Sequence, residues 1–263
     1  SKMPFFAPYD IQLRPECYAS YTRNIAPTFH GRVDYATLVL PYGLTVDKDG
    51  IHETKGEEES KFYMGKIAKE SVVYNKNDKR NHEGADYGDM TKLEKLKAGK
   101  SEANQPYVIK VLSGHGAKNV FFVANEKGAL IKKTPEALMG LVASDAVSCK
   151  ITNVTTSLKS YFTYSGRKIS KSGNEMVFYF SLNRFVAFKN LSKDDLFLYP
   201  FRSVYYADNH KVLQSKGFNS FGVTFDDVDD VTPTAIQDVQ EEVVLKVTLG
   251  AGHITAEASK DIP

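Results

Sequence analysis

Tryptophan is absent from this 263-residue chain, cysteine occurs twice and histidine six times. Each scarcity removes something. Sugar-binding platforms rely on broad, flat, exposed aromatic side chains, so a chain without tryptophan starts with a weaker case for carbohydrate binding. Cys17 and Cys149 have no Cys or His neighbour at short range, so they match no metal-binding spacing. We read them as ordinary buried thiols; a disulfide between them, which would suit an exported protein, is the alternative. The histidines, at 30, 52, 82, 115, 210 and 253, are dispersed, with no i, i+4 pair of the kind that holds zinc on a helix. No glycine-rich phosphate loop is present. No apolar run approaches the length of a transmembrane helix, and the first residues lack the basic and apolar regions of a secretory signal. The expectation is a cytosolic chain or one whose signal has been removed. Charge of one sign is also lacking: 34 Lys and Arg face 32 Asp and Glu, for a net charge of +2. A nucleic-acid-binding domain shows a clustered basic surplus, so that partner is not expected.

What the chain has is Tyr and Phe, 15 and 16 of them, concentrated in short runs. Residues 35–46, 105–112, 119–124, 160–166, 175–188 and 196–207 are rich in aromatic and β-branched residues and bounded by Gly, Asn, Asp or Lys. This pattern predicts an all-β protein, an antiparallel β-sandwich with few short helices. Within 175–188, Ser181 to Arg184 is the natural turn of a hairpin. The 196–207 run is broken by Pro200, Phe201 and Arg202. Proline has no N–H to give a central strand. The break therefore predicts that one strand ends at Pro200 and the next begins in another register or sheet, with Phe201 in the core and Arg202 reaching the edge.

Residues 89–100, with leucines at 93 and 96 among lysines, predict a short helix or helical turn. Residues 134–143 suit a helix start or a strand equally. The charged stretches 47–60 and 75–90 are expected to be solvent loops. From about residue 214 the sequence loses its aromatics and turns acidic, and we read 214–240 as a linker or surface arm. Alternation resumes at 243–259 about Gly250, Ala251 and Gly252, predicting one hairpin. The expected organisation is a β-sandwich domain over 1–213, the arm, and a partial C-terminal β module over 241–263. That hairpin would be ordered by docking on the main domain or by pairing with a neighbouring chain.

Three short motifs carry a resemblance: Leu40-Pro41-Tyr42, Asn104-Gln105-Pro106-Tyr107-Val108-Ile109 and Pro200-Phe201-Arg202. Over roughly residues 18–209 the chain resembles a β-rich module of cell-surface and secreted, adhesin-like proteins of Bacteroidetes, sometimes associated with leucine-rich repeats. Residues 240–263 resemble the first strands of the sorting-type C-terminal sandwich that follows such modules. The resemblance implies export to the cell surface or beyond.

Candidate chemistry is sparse. Ser113 and His115 are two residues apart, whereas a nucleophile and its base come from separate elements, so a polar turn is the better reading. Cys17 with His30 or His115 has no recognisable catalytic context. Asp226, Asp227, Asp229 and Asp230 have the oxygen density of a calcium site without its loop spacing. No catalytic residue, metal or cofactor is expected. The sequence reading is a non-catalytic surface or secreted module acting in adhesion, binding or scaffolding through a protein or glycan ligand. A carbohydrate-binding module and an unrecognised hydrolase with paired carboxylates are the alternatives.

Overall fold

The structure is a computed structural model that describes residues 5–25, 35–54, 60–75, 89–112, 118–124, 126–136, 141–181, 183–225, 243–250 and 253–260. Strands make up 56% of it, and among the described residues there is one short α-helix, His210–Ser215. The mostly-β expectation holds.

Most strands join one thirteen-stranded sheet. Its first block comes from Tyr35–Leu38, Tyr107–Val111, Ser60–Ile67 and Asp89–Lys95, and its second from Ser220–Thr224, Arg184–Ala187, Val177–Ser181, Arg202–Ala207, Val154–Thr163 and Val142–Ile151. The two blocks meet where Ser220–Thr224 pairs in parallel with Asp89–Lys95. Glu70–Val72 then pairs with Ser148–Lys150 at the far end. Only residues 68 and 69 separate it from Ser60–Ile67, and the three steps from residue 67 to residue 70 reach at most about 11 Å. The far end of the sheet must therefore curl back beside the first block. Phe178, Phe185, Phe221, Leu158 and Ile151 pack inside this curl.

A second, four-stranded sheet contains Tyr18–Ile25 and Lys118–Val123 together with the C-terminal hairpin Val243–Gly250 and His253–Lys260. It faces the first block. Phe122 stacks on Tyr21, with ring centres 5.6 Å apart, and meets Phe62 of the large sheet at 5.2 Å.

The break at Pro200 does what its chemistry requires. Asp195–Leu198 pairs with Arg167–Ser170 in a small separate sheet, while Arg202–Ala207 enters the large one. Between them Phe201 takes a φ of +62°. This left-handed conformation is unusual for a bulky residue, and it is held by contacts on every side. The Phe201 N–H donates to the Thr163 carbonyl at 2.9 Å, and its own carbonyl accepts from Val39 at 3.0 Å. Its buried ring lies 4.5 Å from Tyr21 and 5.2 Å from Tyr164. The hairpin across 175–188 also forms as expected, with Ser181 opposite Arg184.

Three expectations need correction. Residues 89–95 are strand, with Met90, Thr91 and Leu93 buried. Pairing with Ser60–Ile67 and Ser220–Thr224 outweighs a weak helical preference. Part of the 47–60 stretch is core: Ile51–Thr54 pairs with Ser60–Ile67, and His52, Thr54 and Ser60 are buried while Glu53, on the other face of the strand, is exposed. Residues 214–225 are no arm. They complete the helix and form Ser220–Thr224, a strand inside the sheet with Phe221 and Val223 fully buried. Phe180 is only half-buried, at the end of its hairpin, whereas Phe178 is the enclosed ring. The 76–88 and 226–242 stretches lie outside the described residues, as does the centre of the ambiguous 134–143 segment, from which Leu141 and Val142 emerge as buried strand residues.

Candidate functional site

The three motifs meet at one place. The Asn104 N–H donates to the Leu40 carbonyl at 2.7 Å, and the Asn104 Oδ1 accepts from the Tyr164 hydroxyl at 2.7 Å. Tyr164 packs on Phe201, which also binds the backbone of Val39. Tyr42 donates its hydroxyl to the Phe122 carbonyl at 2.7 Å. Burial pushes the Tyr42 and Tyr164 hydroxyls well above the usual phenol range. These residues knit strands and loops together in a buried junction, so the motifs act here as structure. Arg202 is half-buried, with its guanidinium 5.3 Å from the Tyr199 ring centre.

The thiols are free and buried, Cys17 in the core beneath the four-stranded sheet and Cys149 inside the curl. Burial pushes the Cys149 thiol up to about 12. Ser113, His115, His30, His82 and the aspartates at 226, 227, 229 and 230 lie outside the described residues. Among the described residues no three His, Cys, Asp or Glu side chains come together to hold a metal ion, and no helix is long and apolar enough to cross a membrane.

One surface feature of ligand-sized dimensions among the described residues is an open groove of about 780 Å³, within the ~300–1,000 Å³ range of small-molecule sites. Its walls come from the Ser60–Ile67 and Asp89–Lys95 strands, the turn that follows, the loop before Tyr107, and Phe225 at the end of the last strand of the large sheet. Four lysines line it, at 66, 95, 97 and 100, against two glutamates, Glu94 and Glu102. Most of this charge is lightly held. Lys66 approaches Glu102 at 3.7 Å and lies 5.1 Å from the Tyr107 ring centre. Lys100 meets Glu126 at 3.1 Å, with both side chains about half exposed. Lys95 sits 3.8 Å above the Tyr63 ring, and Lys97 is exposed. Exposed pairs of this kind contribute roughly 0–1 kcal/mol each and exchange readily for another anion.

The groove's floor is fixed more firmly. The Tyr107 hydroxyl accepts a hydrogen bond from the Glu102 N–H at 2.9 Å, which ties the loop to its strand. Phe225 stacks on Tyr35 at 6.0 Å, and the rim of its ring lies against Gly65. A Cβ at residue 65 would press into the Phe225 ring and come within 2.6 Å of the Glu94 carbonyl. Glycine is what admits the ring here.

The sequence reading did not find this groove. Its lysines had suggested a helix face, and Phe225 lay in the supposed arm. The signal that was available is the recurrence of lysine at 95, 97 and 100 beside a strand of alternating burial. No family model, curated protein or solved structure matches the chain. The likeness to Bacteroidetes surface modules rests on sequence motifs alone.

Proposed function

We propose that this protein is a non-catalytic binding module of a surface-exposed or secreted bacterial protein, acting in adhesion or scaffolding, and that the lysine-lined groove receives its ligand. The observation that carries this reading is the groove's composition. It offers ammonium groups, two carboxylates and ring faces on a rigid sheet, which are recognition groups. Rigid strands hold such groups in place at little entropic cost on binding. The export component rests on the resemblance carried by residues 40–42, 104–109 and 200–202.

Binding arrays of glycans and of extracellular-matrix proteins test the reading, with the Lys97→Ala/Lys100→Ala variant as control. Saturable binding that weakens in the variant supports it. Turnover of an offered substrate at the groove would replace it with an enzyme.

A further inference from the structure

We infer that the ligand of this groove is an acidic polysaccharide, a chain of sugars bearing carboxylate or sulfate groups. The inference rests on the groove being the ligand site, as proposed above, and adds the chemistry of what it holds. Four lysines along one groove, in a chain whose net charge is only +2, concentrate positive potential where the rest of the surface is balanced. That favours an anion. The two glutamates in the same lining then discriminate among anions. A dense polyphosphate would meet Glu94 and Glu102 with like charge at every step. An acidic sugar chain spaces its anionic groups widely and places hydroxyls between them. Ammonium groups take the carboxylates or sulfates, and the glutamates accept hydrogen bonds from the hydroxyls.

The rings supply the remaining element. Phe225 is partly exposed beside Gly65, and an aromatic ring fixed by its stack on Tyr35 suits the C–H face of a pyranose. Tyr107 accepts the Glu102 N–H at its hydroxyl oxygen and contributes a fixed ring to the floor. The lysine pairs with Glu102 and Glu126 are exposed. Neither costs much to exchange for a ligand anion.

The test uses the whole chain and six probes: polygalacturonate and hyaluronan as carboxylated chains, heparin as a sulfated one, dextran as a neutral one, and poly-glutamate and a single-stranded oligonucleotide as acidic polymers that are not polysaccharides. Affinity is measured by calorimetry at about 50 mM and about 500 mM salt, because exposed charge pairs are screened over this range. Hydrogen exchange maps the site. The expected result is binding of a charged chain that weakens with salt, protects 93–100 and 102–107, and leaves dextran unbound. Lys97→Glu with Lys100→Glu should weaken that binding at least about tenfold, while Lys97→Arg with Lys100→Arg retains it. Circular dichroism on both variants separates lost binding from lost folding.

Preference for heparin over the two carboxylated chains assigns sulfate as the anion, and the reverse assigns carboxylate; both support the inference. Tight dextran binding, or an acidic peptide or oligonucleotide that protects the groove better than any sugar chain, overturns it and leaves the binding-module reading standing. A sugar chain that binds without protecting the groove and without responding to the lysine variants overturns both.

Discussion

The Nδ1 of His52 lies 2.8 Å from the carbonyl oxygen of Thr45, on a ring that is fully buried and 4.8 Å from Phe62. The carbonyl only accepts, so Nδ1 carries the proton, and Nε2 is buried with no hydrogen-bond partner among the described residues. Burial holds the imidazole below its ordinary value of 6.5, against the smaller upward pull of the Thr45 bond. A second proton would add a charge and an unsatisfied donor in an apolar setting. The folded state therefore favours neutral His52, and its contribution to stability is present above pH 6.5. It is lost as pH falls through the lowered folded value. Thermal melts from about pH 7 down to about pH 5 should show a steeper decline for the native chain than for His52→Gln, which cannot charge in this range. Parallel pH profiles would contradict the buried assignment.

Cys149 should be chemically silent in the native protein. Its thiol is fully buried and raised to about 12 by that burial, so almost no thiolate exists near neutrality. Cys17 is buried as well and unpaired. Ellman's reagent should label neither thiol at a useful rate in native buffer and both after denaturant is added. Rapid labelling of one thiol in the native state would place it at the surface.

Phe201 and Phe180 separate a locked ring from a loose one. Phe201→Ala removes a buried ring that touches Tyr21 and Tyr164, and should cost about 3–5 kcal/mol. Phe180 is half-buried and packs edge-on to Phe185 at 4.8 Å. Its replacement by Ala should cost less than half as much. Phe201→Gly, which relaxes the φ of +62° while deleting the same ring, should recover part of the loss seen in Phe201→Ala. Urea titrations with an unchanged slope measure all three.

Those contrasts also indicate what was readable from the chain. The Pro200 break, the hairpin around Ser181 and the apolar strands at 107–111 and 118–123 follow from local rules, since each is written in residues whose chemistry permits few conformations. The long hairpin Val142–Ile151 with Val154–Thr163 was largely missed because Thr156, Ser160 and Thr163 face inward, so its alternation is polar on both sides. Its turn, Thr152-Asn153, reaches positive φ at both residues without a glycine to mark it. Asp89–Lys95 and Ser220–Thr224 were misread because their strand character comes from pairing with other strands, including each other across more than a hundred residues of chain. The groove inherited both errors: Lys95 ends the first of those segments with Lys97 and Lys100 just beyond it, and Phe225 directly follows the second.

Gly65 gives a test of the groove floor that is independent of any ligand. Gly65→Ala should displace the Phe225 ring and weaken the stack on Tyr35. We expect a loss of about 1–3 kcal/mol, typical of overpacking. Gly65→Ala combined with Phe225→Ala should cost less than the sum of the two single changes, because the ring clash disappears with the ring while the close contact with the Glu94 carbonyl remains. A fully additive double variant would mean that the two residues do not touch.

The C-terminal hairpin is attached to the body of the protein by one described pairing. His253–Ala258 runs parallel to Tyr18–Arg23, and Val243–Gly250 pairs only with its own hairpin partner. A two-stranded hairpin is marginal in water, so this pairing should be what orders it. Its removal would leave one edge of Tyr18–Ile25 without hydrogen-bond partners. Hydrogen exchange should show 253–258 protected to the same degree at high and low protein concentration, and a chain ending at residue 242 should lose protection at 18–23 while keeping it at 118–123. Protection of the hairpin that vanishes on dilution would instead mean that it seats on the Tyr18–Arg23 strand of a second copy. An unchanged 18–23 segment in the shortened chain would refute the pairing altogether.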